Sequence, residues 1–237
     1  MSSAILHHRN PQLEFLANLG IVGPVFYAVA ILALHFLRPQ DIVLYGNVMS
    51  AYSIGPYGGL SIAAFIGLGL GALALSLGLR RGVRSSRVLL VGAVLVGLFG
   101  IGWIMAGIFR FAPDVASIEP LIRGDAPPTT SGIIHGVAGF GSFACIFAGM
   151  IVLSRAFKRD DRWRSFGIPS LVFALVMLVL FAIGLFVLNS PTVVPCCPPG
   201  SRAWVGAIEW RGFVGTFVLW LFLTAMRLRS VARDAAR

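Results

Sequence analysis

Apolar residues in this chain neither alternate with a period of two nor fall in a single helical stripe. They run on for twenty or more positions, six times, with polar clusters between. The runs lie at 15–37, 57–79, 88–109, 132–154, 166–189 and 206–226. At about 1.5 Å rise per residue each is long enough to cross a hydrocarbon layer roughly 30 Å thick. Backbone groups in lipid must be satisfied within their own segment, so the runs predict helices; the short alternating segments of an outer-membrane barrel are lacking. The first run is too long for a signal-peptide core and leads into Leu37-Arg38-Pro39-Gln40-Asp41, with no small-residue cleavage site, so it counts as a span. The expected fold is an all-α polytopic membrane bundle of six transmembrane helices, one domain over residues 1–237.

Composition agrees. Of 237 residues, 57% are hydrophobic and 12% charged, about half the charge a soluble domain needs to keep its surface wet. Net charge is +10, but where the charges fall matters more than their sum. Fourteen of the 19 Lys and Arg residues follow spans two, four and six or precede span one, against five at Arg38, Arg110, Arg123, Arg202 and Arg211. This bias predicts that both termini are cytoplasmic, beside anionic headgroups. Basic clusters that follow apolar runs are stop-transfer signals, and no nucleic-acid partner is expected. The other connections, about 38–56, 110–131 and 190–205, are longer and carry Pro, Gly, Tyr, Asp and Cys, so activity is expected on that outer face.

Small residues recur at helical spacing: Gly67 and Gly71, Gly102 and Ala106, Gly132, Gly136 and Gly139, Gly212 and Gly215. They favour close helix packing, within the chain first and secondarily in a homo-oligomer or larger membrane complex. Pro24 and Pro169 are placed to kink the first and fifth spans.

Ionisable groups at membrane depth cost about 2.5–3.5 kcal/mol on insertion scales, and so each needs a reason. His135 lies one turn into the fourth span on a stripe through Ala138, Gly139, Ser142, Cys145 and Gly149, which turns the imidazole toward other helices. The simplest role is structural, a hydrogen bond to a carboxylate or carbonyl; a proton acceptor, ligand contact or metal ligand is the alternative. Glu209 and Arg211 stand about 200° apart around the sixth helix, so they should reach different neighbours, one of them Asp114 or His135. Tyr45, Tyr52 and Tyr57 surround the outer end of the second span, as interfacial anchors or as the rim of a pocket. Cys196 and Cys197 are adjacent and too few, with Cys145, for a disulfide framework. Four histidines, two in the N-terminal tail, cannot supply a three-histidine zinc site, and neither metal nor cofactor is expected. Phosphate-loop, Gly-x-Ser-x-Gly and His-Glu-x-x-His motifs are absent; a hydrolase assembled from Ser131 or Ser142, His135 and Asp114 stays open.

Three segments, taken together, resemble a known family. They are Ser50-Ala-Tyr52-Ser-Ile-Gly55-Pro56-Tyr57-Gly58; Gly107-Ile-Phe109 through Asp114 with Thr130-Ser131-Gly132-Ile-Ile-His135-Gly136; and Glu209-Trp210-Arg211 with Trp220. The chain is similar over nearly its full length to the domain of unknown function 998 family of bacterial multi-pass membrane proteins. The resemblance implies six spans in a bacterial inner membrane and supplies no reaction.

Three functions follow as expectations. The first is a non-catalytic binding protein in which Tyr52, Tyr57, Asp114, His135, Glu209 and Arg211 hold a lipid headgroup or small polar ligand near the outer leaflet. The second is a membrane-embedded hydrolase or transferase with His135 as general base, oriented by Asp114 or Glu209. The third is an accessory subunit of a larger assembly. Matched broken helices and a midplane charge are missing, which makes a transporter the weaker reading.

Overall fold

The first helix begins where Asn10 caps it, its side-chain oxygen accepting from the Leu13 amide at 3.0 Å with Pro11 in the first turn. The computed structural model describes residues 10–44, 49–188 and 202–234. Within them lie α1 (Pro11–Leu37), α2 (Pro39–Leu44), a 3₁₀ turn (Met49–Ser53), α3 (Gly58–Gly82), α4 (Arg87–Ile108), α5 (Ile118–Arg123), α6 (Thr130–Lys158), α7 (Arg164–Leu188) and α8 (Arg202–Asp234). Six of these helices, α1, α3, α4, α6, α7 and α8, are long and apolar enough to cross a membrane, and the described residues contain no strand. The helices α1 and α7 continue through Pro24 and Pro169 as single elements.

Each span packs on the next in sequence, and α8 returns to pack on α1, so the six form a closed ring. Outward faces carry exposed Val22, Val29, Leu98, Val137, Val172 and Leu175. Lipid solvates such side chains as well as other helices do, so close backbone approach has to hold the ring together. Two crossings show it. A Cβ on Gly23 of α1 would stand 2.8 Å from the Gly71 Cα of α3, and one on Gly69 of α3 would stand 2.5 Å from the Gly100 carbonyl oxygen of α4. The stripe with Gly67, Gly71 and Gly102 is thus used inside the chain, Gly102 against Ser142 of α6, whereas Gly136, Gly139 and Gly215 face open space.

The two ends of the ring differ. At the basic end, which carries Arg80, Arg81, Arg155, Lys158 and Arg233 in last helical turns, packing is tight. Trp163 stacks on Phe157 at 4.7 Å and donates its indole N–H to the Gly82 carbonyl at 3.2 Å. Asp160 accepts from the backbone amides of Arg84 (2.7 Å) and Arg162 (3.0 Å). Burial raises the carboxyl's pKa, but the bonds from Arg162 and Arg84 together hold it below its ordinary value. Glu14 pairs with Arg233 at 3.0 Å, joining α1 to α8. The opposite end carries α2, the 3₁₀ turn and α5, with a small core of Ala51, Ile54, Ala112 and Ile118.

Candidate functional site

At this loop-bearing end the ring encloses a cavity of about 290 Å³. Every span contributes to its wall: Tyr27 from α1, Phe65 from α3, Trp103 and Ala106 from α4, His135, Gly139 and Phe143 from α6, Phe181 and Gly184 from α7, and Trp210 and Val214 from α8. Met49 and Ser50 of the 3₁₀ turn and Phe111 complete it. Aromatic rings meet edge to face through much of this wall, Tyr27 on Trp103 at 5.4 Å and Phe143 on Trp210 at 5.5 Å. Among the described residues none of the lining side chains is an Asp, Glu, Lys or Arg. Between α6 and α7 the lining residues are also exposed ones: Phe140 is 64% and Leu185 45% exposed, and a Cβ on Gly136 or Gly139 would meet nothing within 4 Å.

His135 reaches this wall because the start of α6 docks on the end of α4. Thr129 caps α6 by accepting from the Gly132 amide at 3.1 Å, and Ser131 donates to the Arg110 carbonyl at 3.0 Å. Gly132 lies so close beneath the Phe111 carbonyl that a Cβ would stand 2.7 Å from its oxygen. One turn on, the His135 Nδ1 contacts the carbonyl oxygens of Ala106 and Phe109, both at 2.9 Å. Those oxygens only accept, so Nδ1 carries the proton and the unprotonated Nε2 has no hydrogen-bond partner among the described residues. Carbonyls in the last turn of a helix have no partner within it, and an imidazole N–H satisfies two here.

Of the other five residues expected at one pocket, none lines this cavity. Tyr57 is 58% exposed, in the left-handed region at φ 59°, where it starts α3. Asp114 is exposed and accepts from the backbone N–H (2.9 Å) and hydroxyl (2.7 Å) of Ser117, which lowers its pKa; it does not reach His135. Glu209 is 5% exposed, its two carboxylate oxygens make no hydrogen bond, and they lie where a Cβ on Gly184 would be, 2.7 Å from the nearer. Arg211 donates from Nε to Nε2 of His35 at 2.7 Å. The pairing expected for one of Glu209 and Arg211 with Asp114 or His135 is therefore replaced, because α8 neighbours α1 and α7 and not the start of α6. Tyr52 is buried, its ring 5.3 Å from that of His35. Burial raises its phenol's pKa, and nearby Arg211 pulls the other way. So Tyr52 and Arg211 do come together, with His35, beside the cavity. Tyr45, Cys196 and Cys197 lie outside the described residues.

Two features escaped the sequence reading. Arg38, 4% exposed, ends α1 and donates from Nη1 to the carbonyls of Tyr52 (3.2 Å), Ile54 (2.7 Å) and Pro56 (3.1 Å), pairs with Asp41, and stands 5.6 Å from the centre of the Tyr52 ring. The Ser50–Gly58 segment is a loop wrapped around this guanidinium, with Gly55 at φ 79° making the turn. An arginine at a span end with an aspartate three residues on was the available signal. Second, Tyr27 and Trp103, which line the cavity, are 2% and 4% exposed, and among the described residues neither the hydroxyl nor the indole nitrogen has a hydrogen-bond partner. Their polar tips inside apolar runs were the clue.

No curated protein and no solved structure matches this chain. The family model described as a protein of unknown function (DUF998) matches residues 21–227. That match runs from within α1 to within α8 and takes in the four helices between them and the whole described lining of the cavity, and the chain is a member of the DUF998 family of multi-pass membrane proteins.

Proposed function

We propose that this protein binds a lipid-soluble molecule in the cavity enclosed by its six spans, taking it from the bilayer between α6 and α7. The observation that supports this reading is the cavity itself: about 290 Å³, aromatic, uncharged, and bordered on one side by residues exposed on the bundle's flank. Small-molecule sites of roughly 300–1000 Å³ are likewise mostly apolar with few polar groups. The volume thus suits the head of a ligand whose remaining body stays among lipid chains. A charged headgroup as the buried part is disfavoured, since no lining side chain carries the opposite charge. The excess of Lys and Arg at the other end supports an orientation with both termini cytoplasmic and the cavity in the outer half of a bacterial inner membrane.

The hydrolase reading has less support. Two backbone carbonyls orient His135 and leave Nε2 unprotonated, but neither Asp114 nor Glu209 touches the imidazole, and among the described residues no carboxylate lines the cavity to stabilise the imidazolium a general base becomes.

Native mass spectrometry of the protein released from lipid nanodiscs tests the proposal. The wild type should retain one lipid-soluble molecule per chain, and Gly139→Leu, which places a side chain where nothing lies within 4 Å, should lose it while keeping its thermal midpoint. Equal retention by both proteins would refute the cavity as the binding place.

A further inference from the structure

Three polar side chains around the cavity have unused hydrogen-bonding capacity. Tyr27 and Trp103 are more than nine-tenths buried, and the phenol hydroxyl of one and indole N–H of the other have no partner. Buried polar groups in folded proteins are paired in about nine cases of ten, and an unpaired one is destabilising. Both side chains line the cavity while the donor atoms themselves are closed off from it, so an oxygen that pairs with them enters with a side-chain shift. The third is His135, whose Nδ1 is committed to α4 and whose Nε2 can only accept. The rings of Tyr27, Trp103 and His135 come from α1, α4 and α6 and surround Phe65, at 5.8, 4.5 and 6.5 Å. The wall thus holds two buried donors, the Nε2 acceptor and Ser50, among aromatic faces and, among the described residues, with no charge.

Resting on the binding function above, we propose that the ligand's buried end is an uncharged ring bearing carbonyl or hydroxyl oxygens, a quinone or its quinol being the type. A quinone carbonyl accepts from Tyr27 and Trp103. A quinol hydroxyl both accepts and donates, and its proton finds His135 Nε2. The rings of Phe65, Phe143 and Trp210 supply edge-to-face contacts for the ligand ring. An apolar tail on such a ring leaves between Phe140 and Leu185. A hydrocarbon satisfies none of the three groups, and an anion or cation finds no counter-charge.

The test compares two probes matched in tail length, a decyl-substituted benzoquinone and decylbenzene, titrated onto the full-length protein in detergent and read by native mass spectrometry and thermal shift. The quinone should bind about tenfold or more tighter. Tyr27→Phe and Trp103→Phe should each reduce that preference, taken as the ratio of the two probes' affinities for the same variant, by about fivefold, the worth of one net hydrogen bond. Tyr27→Phe removes an unpaired hydroxyl and keeps the ring, so it should fold at least as well as the wild type. Equal affinity for the two probes, or a preference that both substitutions leave intact, overturns the ring-oxygen assignment while the cavity stands. If neither probe binds, or if Gly139→Leu blocks neither, the cavity reading itself falls and takes this assignment with it.

Discussion

Replacing Arg38 with methionine should be among the costliest single changes in the molecule. The substitution keeps much of the side-chain volume and removes every donor. Two of the three carbonyls it serves belong to buried residues, Tyr52 and Ile54, whereas Pro56 is exposed and its oxygen can turn to water. Leaving two buried acceptors unsatisfied costs about 1–3 kcal/mol each, and Asp41, 7% exposed, loses the partner of its charge. The sum is roughly 3–5 kcal/mol after relaxation, which in a chain of this length corresponds to a fall of about 10 °C in thermal midpoint. Because the same loop carries Met49 and Ser50 over the cavity, retention of the bound molecule should fall too. Asp41→Asn, in contrast, leaves the three carbonyl contacts in place and should cost about 1 kcal/mol. Thermal unfolding in detergent of the two single variants and the double variant measures both the size and the coupling. A loss under about 1 kcal/mol for Arg38→Met, or equal losses for the two single variants, would show that the guanidinium does not hold this loop.

Other substitutions separate close packing from open space. Gly69→Ala puts a methyl 2.5 Å from the Gly100 carbonyl oxygen and should lower stability by about 1–3 kcal/mol, whereas Gly139→Ala should be nearly silent; the reverse order in a thermal melt would contradict the crossing of α3 and α4. Asp160 has a pKa lowered on folding, so its contribution is present above the ordinary carboxylate value of 3.8 and is lost as pH falls through the folded value. Acid melting of the wild type should therefore show a component that Asp160→Asn lacks, and identical acid profiles would remove Asp160 as its source. Glu209→Met eliminates two buried, unpaired oxygens and should raise the thermal midpoint; a clear drop would mean that the carboxylate makes a contact the protein needs. Asp114→Asn should leave retention of the bound molecule unchanged, since the carboxylate is exposed and tied to Ser117, and loss of binding would place Asp114 at the site.

The spans could be read from the chain because twenty apolar residues in succession admit few folds, but their ends could not. The last apolar run closes at about 226 while its helix runs to Asp234, and the helix of the fourth run, which closes at about 154, continues to Lys158. Charged residues mark where hydrocarbon ends, and a helix is free to continue into the headgroups, where Arg233 finds Glu14. His135 was legible as an inward-facing group from its small-residue stripe, because helical periodicity fixes direction. Its partners were not, since carbonyls at a helix end have no sequence signature. That Glu209 and Arg211 face different neighbours followed from their spacing, while the identity of those neighbours depended on which helices lie beside α8. Tyr27 and Trp103 looked like ordinary filling, and only the position of the cavity distinguishes an aromatic ring that packs from one whose polar tip is left waiting.

The circular order of the helices also bears on how the protein is made. Each segment that leaves the ribosome can lodge against the one before it, so five of the six contacts between successive neighbours require no distant partner. The sixth, between the first helix and the last, does. Trp210 and Val214 belong to that final helix, and the chamber has no complete perimeter until it arrives. On the proposed binding function, a nascent chain halted before α8 would lack one side of the chamber, and so occupancy would report that synthesis had been finished.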